Sequence, residues 1–300
     1  MTIRESDRNC IDIKGLSHRY SGVVALDNFS LSVSEGETLA VIGPDGVGKS
    51  TLLGIIAGIK RIQTGRVRVM GQDFSSESQR EEVKGKIAYM RQGLGFGLYP
   101  TLSVLENIRF VSRLFGLSDQ EIDRKLPRLL KATGLYPFLE RKTNKLSGGM
   151  KQKLQLCCCL IHSPDLLILD EPTTGVDPLS RRQFWALLDE LRGESSNMTL
   201  ITATAYMEEA ARFNRLVAMN DGKILTAGAY DEILARTQSQ TLEMAYAKLL
   251  AAGRNEAVGS VVFPKFSGER GASVIEAFSL SKAFKNFIAV DNVDINVARG

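Results

Sequence analysis

The feature that most constrains this chain is a glycine-rich loop near its N-terminus. Residues 43–50 fit the pattern G-x-x-x-x-G-K-[ST]. The apolar residues 38–42 before the loop predict a strand, and residues 49–59 after it predict a helix. Strand, glycine loop and helix in this order are typical of a phosphate site, because loop N–H groups and the positive helix end meet there. The residues predicted to bind are Gly43, Pro44, Asp45, Gly46, Val47, Gly48, Lys49, Ser50 and Thr51.

Charged and hydroxyl side chains around this loop predict phosphate chemistry. Lys49 would place a point charge beside the β and γ phosphates, and the Ser50 hydroxyl would be a magnesium ligand. Further along, the apolar run 166–169 ends in the adjacent carboxylates Asp170 and Glu171. We expect Asp170 to hold magnesium through water and Glu171 to polarise the attacking water, since charge beside a core is costly without a role. The alternative is a solvated strand end.

A second candidate anion site begins another helix. Ser147, Gly148 and Gly149 precede a stretch of helical character, residues 150–161. A serine N-cap followed by two glycines leaves backbone N–H groups accessible to an anion. The alternative is an ordinary helix cap.

Composition and charge limit the classes of protein to which this chain could belong. Hydrophobic residues make up 44% and charged residues 24% of the 300 residues, which is ordinary globular usage. The net charge of +4 comes from mixed charges without a basic block, so direct DNA binding is not expected. The start lacks a signal-peptide core, and no run approaches the ~18 apolar residues of a membrane span. Cys10 and the adjacent cysteines 157–159 suit small buried side chains in a reducing cytosol.

Strand and helix patterns alternate along the chain. Alternating apolar and polar residues predict a strand pair at 11–36, and helical spacing predicts an insertion at 103–132 whose apolar side includes Leu114. Further strands are predicted at residues 65–71, 86–90, 166–169 and 198–204, and further helices at 150–161 and 180–192. Strands that alternate with helices imply a mainly parallel sheet with right-handed crossovers.

The start of the chain recurs at its end. Residues 10–36 match residues 274–300 at a constant offset, with identities that include Leu16 with Leu280 and Val33 with Val297. In the first copy a strand and the phosphate loop follow at once. We therefore expect three parts: a nucleotide-binding domain at 10–235, a C-terminal helix and linker at 236–272, and the truncated start of a second such domain at 273–300.

The motifs occur in the order seen in ABC-transporter ATPases, and the chain resembles that family from residue 10 to about 235. The likeness rests on the phosphate loop, the Gln92 loop, the Leu-Ser-Gly-Gly signature at 146–149, the strand ending in Asp170 and Glu171, and residues 174–177. It implies an α/β fold, a P-loop NTPase cassette with a mainly parallel sheet, an antiparallel β subdomain and an α-helical signature subdomain. It also implies ATP and Mg²⁺ as cofactors and ATP hydrolysis as the reaction.

The resemblance assigns further roles. Tyr20 matches the aromatic that stacks on adenine, although a tyrosine there can also be a core or turn residue. Gln92 matches the glutamine that contacts magnesium and the attacking water. Asp177 matches the loop that couples the two sites of a head-to-tail cassette pair. In such a pair Ser147 and the two glycines after it bind the γ phosphate held by the other cassette.

Two departures from the family pattern bear on activity. The family usually has a histidine where this chain has Ala205, which has no group to contact the γ phosphate. Neither His18 nor His162 could replace it in sequence. Asp45 stands where many relatives have asparagine and adds negative charge near phosphate. We therefore expect low turnover at the Lys49 site.

The phosphate loop and the histidine-free segment at Ala205 are most similar to the first nucleotide-binding domain of bacterial tandem-cassette ribosome-associated ATPases. The resemblance implies two partners, a second cassette of the same polypeptide and a membrane permease. The protein would be cytoplasmic, peripheral to the inner membrane through that permease, and would drive export. Two alternatives stay open: an ATPase that acts in translation with the ribosome as partner, and a regulatory module that binds ATP and hydrolyses little.

Overall fold

The structure is a computed structural model that describes residues 9–193, 197–254, 273–285 and 287–298. It divides into two compact units, Met1–Glu256 and Ala257–Gly300. Much of the linker predicted within residues 236–272 lies outside the described residues, so the domain boundaries stay predictions.

A six-stranded sheet of order β10-β9-β3-β8-β7-β6 forms the centre of the first unit. Its strands are β3 (Thr38–Ile42), β6 (Ile87–Met90), β7 (Leu166–Asp170), β8 (Thr199–Thr204), β9 (Arg215–Asn220) and β10 (Lys223–Gly228). Neighbouring strands are parallel, except that β10 pairs antiparallel with β9. The predicted mainly parallel sheet is confirmed.

Both faces of this sheet are buried, each against its own core. In β7, Leu167 and Leu169 belong to one core, whereas Leu166 and Ile168 belong to the other. Successive side chains of a strand point to opposite faces, so a strand buried on both faces appears in sequence as an unbroken apolar run. Each fully buried side chain of this kind contributes roughly 1.5–3 kcal/mol to folding.

An antiparallel sheet of order β2-β1-β4-β5 contributes to the second of these cores. Its strands are β1 (Asn9–Tyr20), β2 (Val23–Ser34), β4 (Thr64–Val69) and β5 (Gln72–Asp73). Ser21 and Gly22 join β1 to β2 with left-handed φ angles of 42° and 91°, as a tight hairpin requires. The predicted strand pair at 11–36 and the antiparallel β subdomain are confirmed.

Helices cover both cores. α1 (Lys49–Ile56) and α2 (Glu77–Lys84) contribute side chains to the same core as the antiparallel sheet. The other core takes side chains from α3 (Val104–Leu114), α4 (Asp119–Thr133), α5 (Gly148–Leu160), α6 (Pro178–Gly193), α7 (Met207–Ala210), α8 (Tyr230–Thr237) and α9 (Leu242–Arg254). Capping boxes begin α3 at Ser103 and α4 at Ser118. Among the described residues, no helix is both long and apolar enough to cross a membrane.

The helices differ most from the predicted spans at α1 and at the insertion, and α2, α7 and α8 were not predicted. α1 ends at Ile56, three residues earlier than predicted, and Gly58 follows with a left-handed φ of 72°. The predicted insertion at 103–132 consists of two helices with a break at Gly116, whose φ is 76°. Leu114, predicted on the apolar side of the insertion, is 70% exposed. Helical spacing located these helices but not all of the side chains that they bury.

The second unit contains a hairpin of β11 (Ser273–Phe284) and β12 (Phe287–Ala298). Its strand pairing repeats that of β1 and β2, since Leu280 pairs with Val293 as Leu16 pairs with Phe29. Register shifts also fall at corresponding positions in the two hairpins. The sequence repeat is therefore a repeat of local structure as well.

Candidate functional site

The phosphate loop leads from the buried end of β3 into the first turn of α1. Gly43, Gly46 and Gly48 have φ angles of 152°, 82° and 102°, where residues with side chains are strained. A Cβ on Gly48 would lie 2.0 Å from the carbonyl oxygen of Ala25, so only glycine fits. α1 has neither a side-chain N-cap nor an acidic residue in its first turn, which leaves its N–H groups and positive dipole available to an anion.

Lys49 lies inside this loop with 4% of its side chain exposed. Its Nζ donates to the carbonyl oxygens of Gly43 and Pro44, both at 2.9 Å. The same atom lies 3.4 Å from a carboxylate oxygen of Glu171 and 3.7 Å from one of Asp45. These acceptors hold the ammonium at the centre of the loop, where phosphate oxygens would compete for it.

Asp170 ends β7 beside the first turn of α1. Its Oδ1 accepts a hydrogen bond from Ser50 Oγ at 3.0 Å, and its Oδ2 accepts one from the Tyr89 hydroxyl at 3.1 Å. Burial raises the pKa of Asp170, and the two hydrogen bonds counteract this rise. Burial, and then the charge of Asp170, raise the pKa of Tyr89. Tyr89 therefore stays protonated as a donor to the carboxylate.

A magnesium ion fits Ser50 and Asp170. A hydroxyl and a carboxylate are the hard oxygen donors that Mg²⁺ prefers, and this ion usually takes only one or two carboxylates from a protein. Among the described residues, no group of three His, Cys, Asp or Glu side chains could hold a metal. The donor set therefore suits an ion whose other ligands are phosphate and water, rather than a metal enclosed by protein.

Glu171 lies next to this pair and is 5% exposed. Its Oε2 accepts hydrogen bonds from Gln92 Nε2 at 2.7 Å and from Thr174 Oγ1 at 3.1 Å. Gln92 reaches it because β6 and β7 are parallel neighbours, with Met90 opposite Leu169. The loops after the two strands therefore meet at the same sheet edge.

Tyr20 lies at the end of β1 near the first turn of α1. Its hydroxyl is 3.4 Å from Thr51 Oγ1 and accepts a hydrogen bond from Lys60 Nζ. Tyr20 is 42% exposed, and His18 packs edge-on against its ring with ring centroids 4.6 Å apart. An aromatic ring that is open to solvent beside a phosphate loop can stack on a base.

The signature residues and Asp177 form a second group. Ser147 Oγ accepts from the Met150 N–H at 3.3 Å and caps α5. An anion site and an ordinary helix cap both predict this contact. Asp177 Oδ1 accepts from the Ser180 N–H at 2.9 Å at the start of α6, and its hydrogen bonds with Ser180 lower its pKa. Within the described part of the chain, no hydrogen bond or ion pair joins Ser147, Gly148, Gly149 or Asp177 to Lys49.

Ala205 follows β8 and is exposed. Neither histidine takes the place of the histidine that the resemblance led us to expect there. His18 packs on Tyr20, and His162 stacks on Phe115 with ring centroids 3.7 Å apart.

Sequence reasoning missed several residues of the site. Tyr89 and Thr174 donate to the two carboxylates, and Lys60 donates to the Tyr20 hydroxyl. Tyr89 lies three residues before Gln92 on β6, but only the strand order brings it beside β7. The sequence alone therefore gave no sign that Tyr89 contacts a carboxylate of β7.

Known proteins resemble this chain in sequence. Residues 26–174 match the family model described as ABC transporter. The chain is 34% identical over 245 residues to the probable multidrug ABC transporter ATP-binding protein YbhF of Escherichia coli K12, covering 80% of this chain and 41% of that protein. It is 32% identical over 225 residues to the Nod factor export ATP-binding protein I of Cupriavidus metallidurans, covering 75% of this chain and 72% of that protein.

A solved structure also resembles the fold. It is the dimeric structure of a post-hydrolysis state of the ATP-binding cassette MJ0796 bound to ADP and Pi. That cassette superposes with a TM-score of 0.65 at 26% identity, covering 73% of this chain and 98% of its own. The predicted α/β cassette fold, with parallel sheet, antiparallel subdomain and helical part, is confirmed. The chain belongs to the ABC transporter family and is one of its ATP-hydrolysing cassettes.

Proposed function

We propose that this chain is the first cassette of a tandem ABC ATPase that couples MgATP binding and hydrolysis to export through a membrane permease. The observation that supports the ATP-driven part best is one cluster of Lys49, Ser50, Gln92, Asp170 and Glu171. Hydrogen bonds of 2.7 and 3.0 Å and an ion pair of 3.4 Å join its members. Burying charged groups away from water costs free energy, so a cluster of them points to a functional role. Phosphate transfer gives each of these groups such a role.

Each residue of the cluster has a role at the terminal phosphates. Lys49 and the loop N–H groups would bind the β and γ phosphates, and Ser50 and Asp170 would hold Mg²⁺. When bound, the ion would neutralise charge that develops on the transferred phosphate. Glu171 polarises the attacking water, and Gln92, bonded to Glu171, brings the loop after β6 into contact with ion and water.

The signature residues and Asp177 serve the site of another cassette. Ser147 and the two glycines open α5 with accessible N–H groups but make no bond to Lys49, which supports a role toward a nucleotide held elsewhere. Asp177 lies on the exposed segment before α6. The MJ0796 cassette, to which this chain is similar, is dimeric and bound to ADP and Pi.

The second hairpin supports a second cassette in the same polypeptide. Its apolar positions are exposed where the first hairpin buries them, and a sheet face of this kind needs a covering layer. The exposed fractions are 0% and 56% for Ile11 and Ile275, 0% and 46% for Leu16 and Leu280, and 0% and 44% for Val33 and Val297. A cassette built on β11 and β12 would supply that layer. The similarity to tandem ribosome-associated ATPases supports the same arrangement.

Exposed aromatic and aliphatic side chains after Gln92 support a permease contact. This Gln-loop surface consists of Leu94, Phe96, Tyr99, Phe110 and Phe115, which are between 37% and 51% exposed. Tyr99 and Phe110 pack edge to face with ring centroids 4.7 Å apart. Clustered apolar side chains on a surface mark interaction sites. The two relatives are named for multidrug transport and Nod factor export, and a permease contact here would hold the cassette at the cytoplasmic face of the inner membrane.

Phe110→Glu tests the permease contact in the intact protein produced together with its permease. A charge buried in an apolar interface costs several kcal/mol, so co-purification of the permease should fall by at least about tenfold while MgATP binding persists. Tyr136→Glu, at a side chain 59% exposed outside this surface, is the matched control. Equal co-purification from Phe110→Glu and the control would remove the permease contact from the proposal.

A further inference from the structure

The residue that would activate water has a strained backbone. Glu171 has a φ of 47°, in the left-handed region that is unfavourable for non-glycine residues. Such a conformation persists only where the surroundings determine it fully. Its N–H donates to the carbonyl oxygen of Ala203 at 2.9 Å, which holds the Glu171 backbone against β8. The loop that follows Glu171 must be fixed by other contacts.

A buried carboxylate on α7 supplies those contacts. Glu209 is 5% exposed, and its Oε1 accepts from Thr173 Oγ1 at 2.6 Å while its Oε2 accepts from Thr204 Oγ1 at 2.9 Å. Thr173 lies two residues after Glu171, and Thr204 ends β8 directly before Ala205. One carboxylate therefore ties the loop after Glu171 to the end of the neighbouring strand.

Arg181 on α6 completes this arrangement. Its Nε lies 3.7 Å from Glu209 Oε1, and its guanidinium lies over the Tyr206 ring at 3.8 Å. The Tyr206 N–H donates to Thr204 Oγ1 at 3.0 Å. Burying a carboxylate away from water is unfavourable, and the two hydroxyl donors and one cation around Glu209 offset this cost. We name these residues, Thr173, Arg181, Thr204, Tyr206 and Glu209, the carboxylate clamp.

We propose that Glu209 is a positioning residue for ATP hydrolysis, which acts through Thr173 on the backbone of Glu171. This inference rests on the proposed role of Glu171 toward water. The clamp holds both neighbours of Ala205, Thr204 through its hydroxyl and Tyr206 through its N–H and ring. The clamp thereby fixes the backbone of Ala205, whose methyl side chain cannot make a polar contact.

Hydrogen exchange tests the clamp without reference to hydrolysis. The N–H groups of Thr174 and Val176 donate to the carbonyl oxygens of Glu171 and Thr173 at 3.3 and 3.2 Å. Thr173→Val removes the hydroxyl with little change of shape, so both amides should exchange about tenfold faster. Thr133→Val is the control, because it removes another buried hydroxyl, bonded to Leu129 O at 2.7 Å. Unchanged exchange at Thr174 and Val176 would overturn the clamp.

Single-turnover cleavage of MgATP tests the effect on catalysis in the intact protein carrying Ser147→Arg, in which only the Lys49 site should work, with protein in excess over nucleotide. In this protein Thr173→Val and Glu209→Gln should slow cleavage by about tenfold with the affinity for MgATP unchanged, and Thr173→Ser should restore the rate. The Thr133→Val control should leave the rate unchanged. In a Glu171→Gln background the Thr173→Val effect should vanish, because both act on one step.

The outcomes separate this inference from the proposed function. Equal slowing by Thr173→Val with and without Glu171 would show a general loss of structure and overturn the positioning role. If the intact Ser147→Arg protein cleaved no MgATP, the role of Glu171 would be lost. The exchange of Thr174 and Val176 would then still decide whether Glu209 holds their loop.

Discussion

At the scale of single residues, the phosphate loop depends on both backbone and side chains. Gly48 is required because the Ala25 carbonyl leaves no room for a Cβ, and Gly43 because the Met219 carbonyl would lie 2.5 Å from one. Lys49 fills the centre of the loop with contacts to two carbonyls and two carboxylates. The loop geometry and the lysine position are thus fixed together.

Lys49→Ala should weaken MgATP binding by at least about tenfold. Hydrogen bonds to charged groups are worth about 1.5–3 kcal/mol, and the ammonium supplies the charge for the phosphates. Isothermal titration calorimetry would measure the affinity, with Lys84→Ala as a control at a side chain 72% exposed. An unchanged affinity would show that this loop is not the nucleotide site.

Tyr20→Ala should weaken ATP binding by a stacking energy of about 1–3 kcal/mol, on the scale measured for bases on aromatic side chains. Tyr20→Phe keeps the ring and loses only the contacts of the hydroxyl to Lys60 and Thr51. Its effect should therefore be mild in the same titration. If the two variants bound ATP alike, Tyr20 would be a structural residue.

At the scale of elements, close approach of helices explains one signature glycine. A Cβ on Gly149 would lie 2.8 Å from Ser180 Oγ and 2.9 Å from Ser180 Cβ, so α5 and the start of α6 leave no room for a side chain. A Cβ on Gly148 would meet only the two methyl carbons at the end of Leu94, at 3.3 and 3.7 Å. The two glycines therefore have different structural requirements, although the sequence motif treats them alike.

Gly149→Ala should destabilise the fold by about 1–3 kcal/mol, the usual cost of overpacking. Gly148→Ala should cost less, because the end of the leucine side chain can move. Urea unfolding of both variants would measure the difference, and Ser180→Gly should recover part of the stability of Gly149→Ala. Equal stability of Gly148→Ala and Gly149→Ala would contradict this packing argument.

His162, which is partly buried just after α5, should make the stability of the fold depend on pH. Burial lowers the pKa of His162, stacked on Phe115, to about 4, against about 6.5 in an unfolded chain. Between these values the unfolded state binds the proton and the folded state does not, so stability rises with pH. Urea unfolding at pH 5 and 7 should show a decrease at pH 5, of order 1 kcal/mol per pH unit, that His162→Gln removes. The same pH dependence in both proteins would exclude His162 as its cause.

At the scale of the whole molecule, the two ATP sites of the proposed tandem protein should be unequal. The Lys49 site has Glu171 but carries Ala205 at the histidine position, whereas Ser147 of this chain would complete the other site. In the intact protein Glu171→Gln should therefore cost little of the steady-state ATPase rate, and Ser147→Arg should cost most of it. Ala205→His should raise turnover at the Lys49 site.

A collapse of ATPase activity in Glu171→Gln, with little effect of Ser147→Arg, would reverse this assignment of the two sites. MgATP titration of the Ser147→Arg protein is the control, since its own phosphate loop should still bind. The pattern depends on the second cassette retaining its catalytic residues.

The sequence by itself determined the residues whose role depends on near neighbours in the chain. The phosphate loop is such a case, because its glycines, Lys49 and Ser50 act within eight residues of one another. The paired carboxylates at the end of β7 and the serine cap of α5 are further cases. Apolar patterns also located several strands, among them β7, whose unbroken apolar run reflects burial on two faces, whereas β5, β9 and β10 were not predicted. The order of the motifs then identified the family.

Only the tertiary structure decided which distant residues meet. The strand order placed Gln92 and Tyr89 beside the carboxylates of β7, and it placed Glu209 between Thr173 and Thr204. Local patterns cannot encode these contacts, because hydrogen bonds across a sheet depend on which strands are neighbours. For the same reason, periodicity predicted the helix that contains Leu114 but not its exposure, since burial requires a partner surface that other parts of the chain provide.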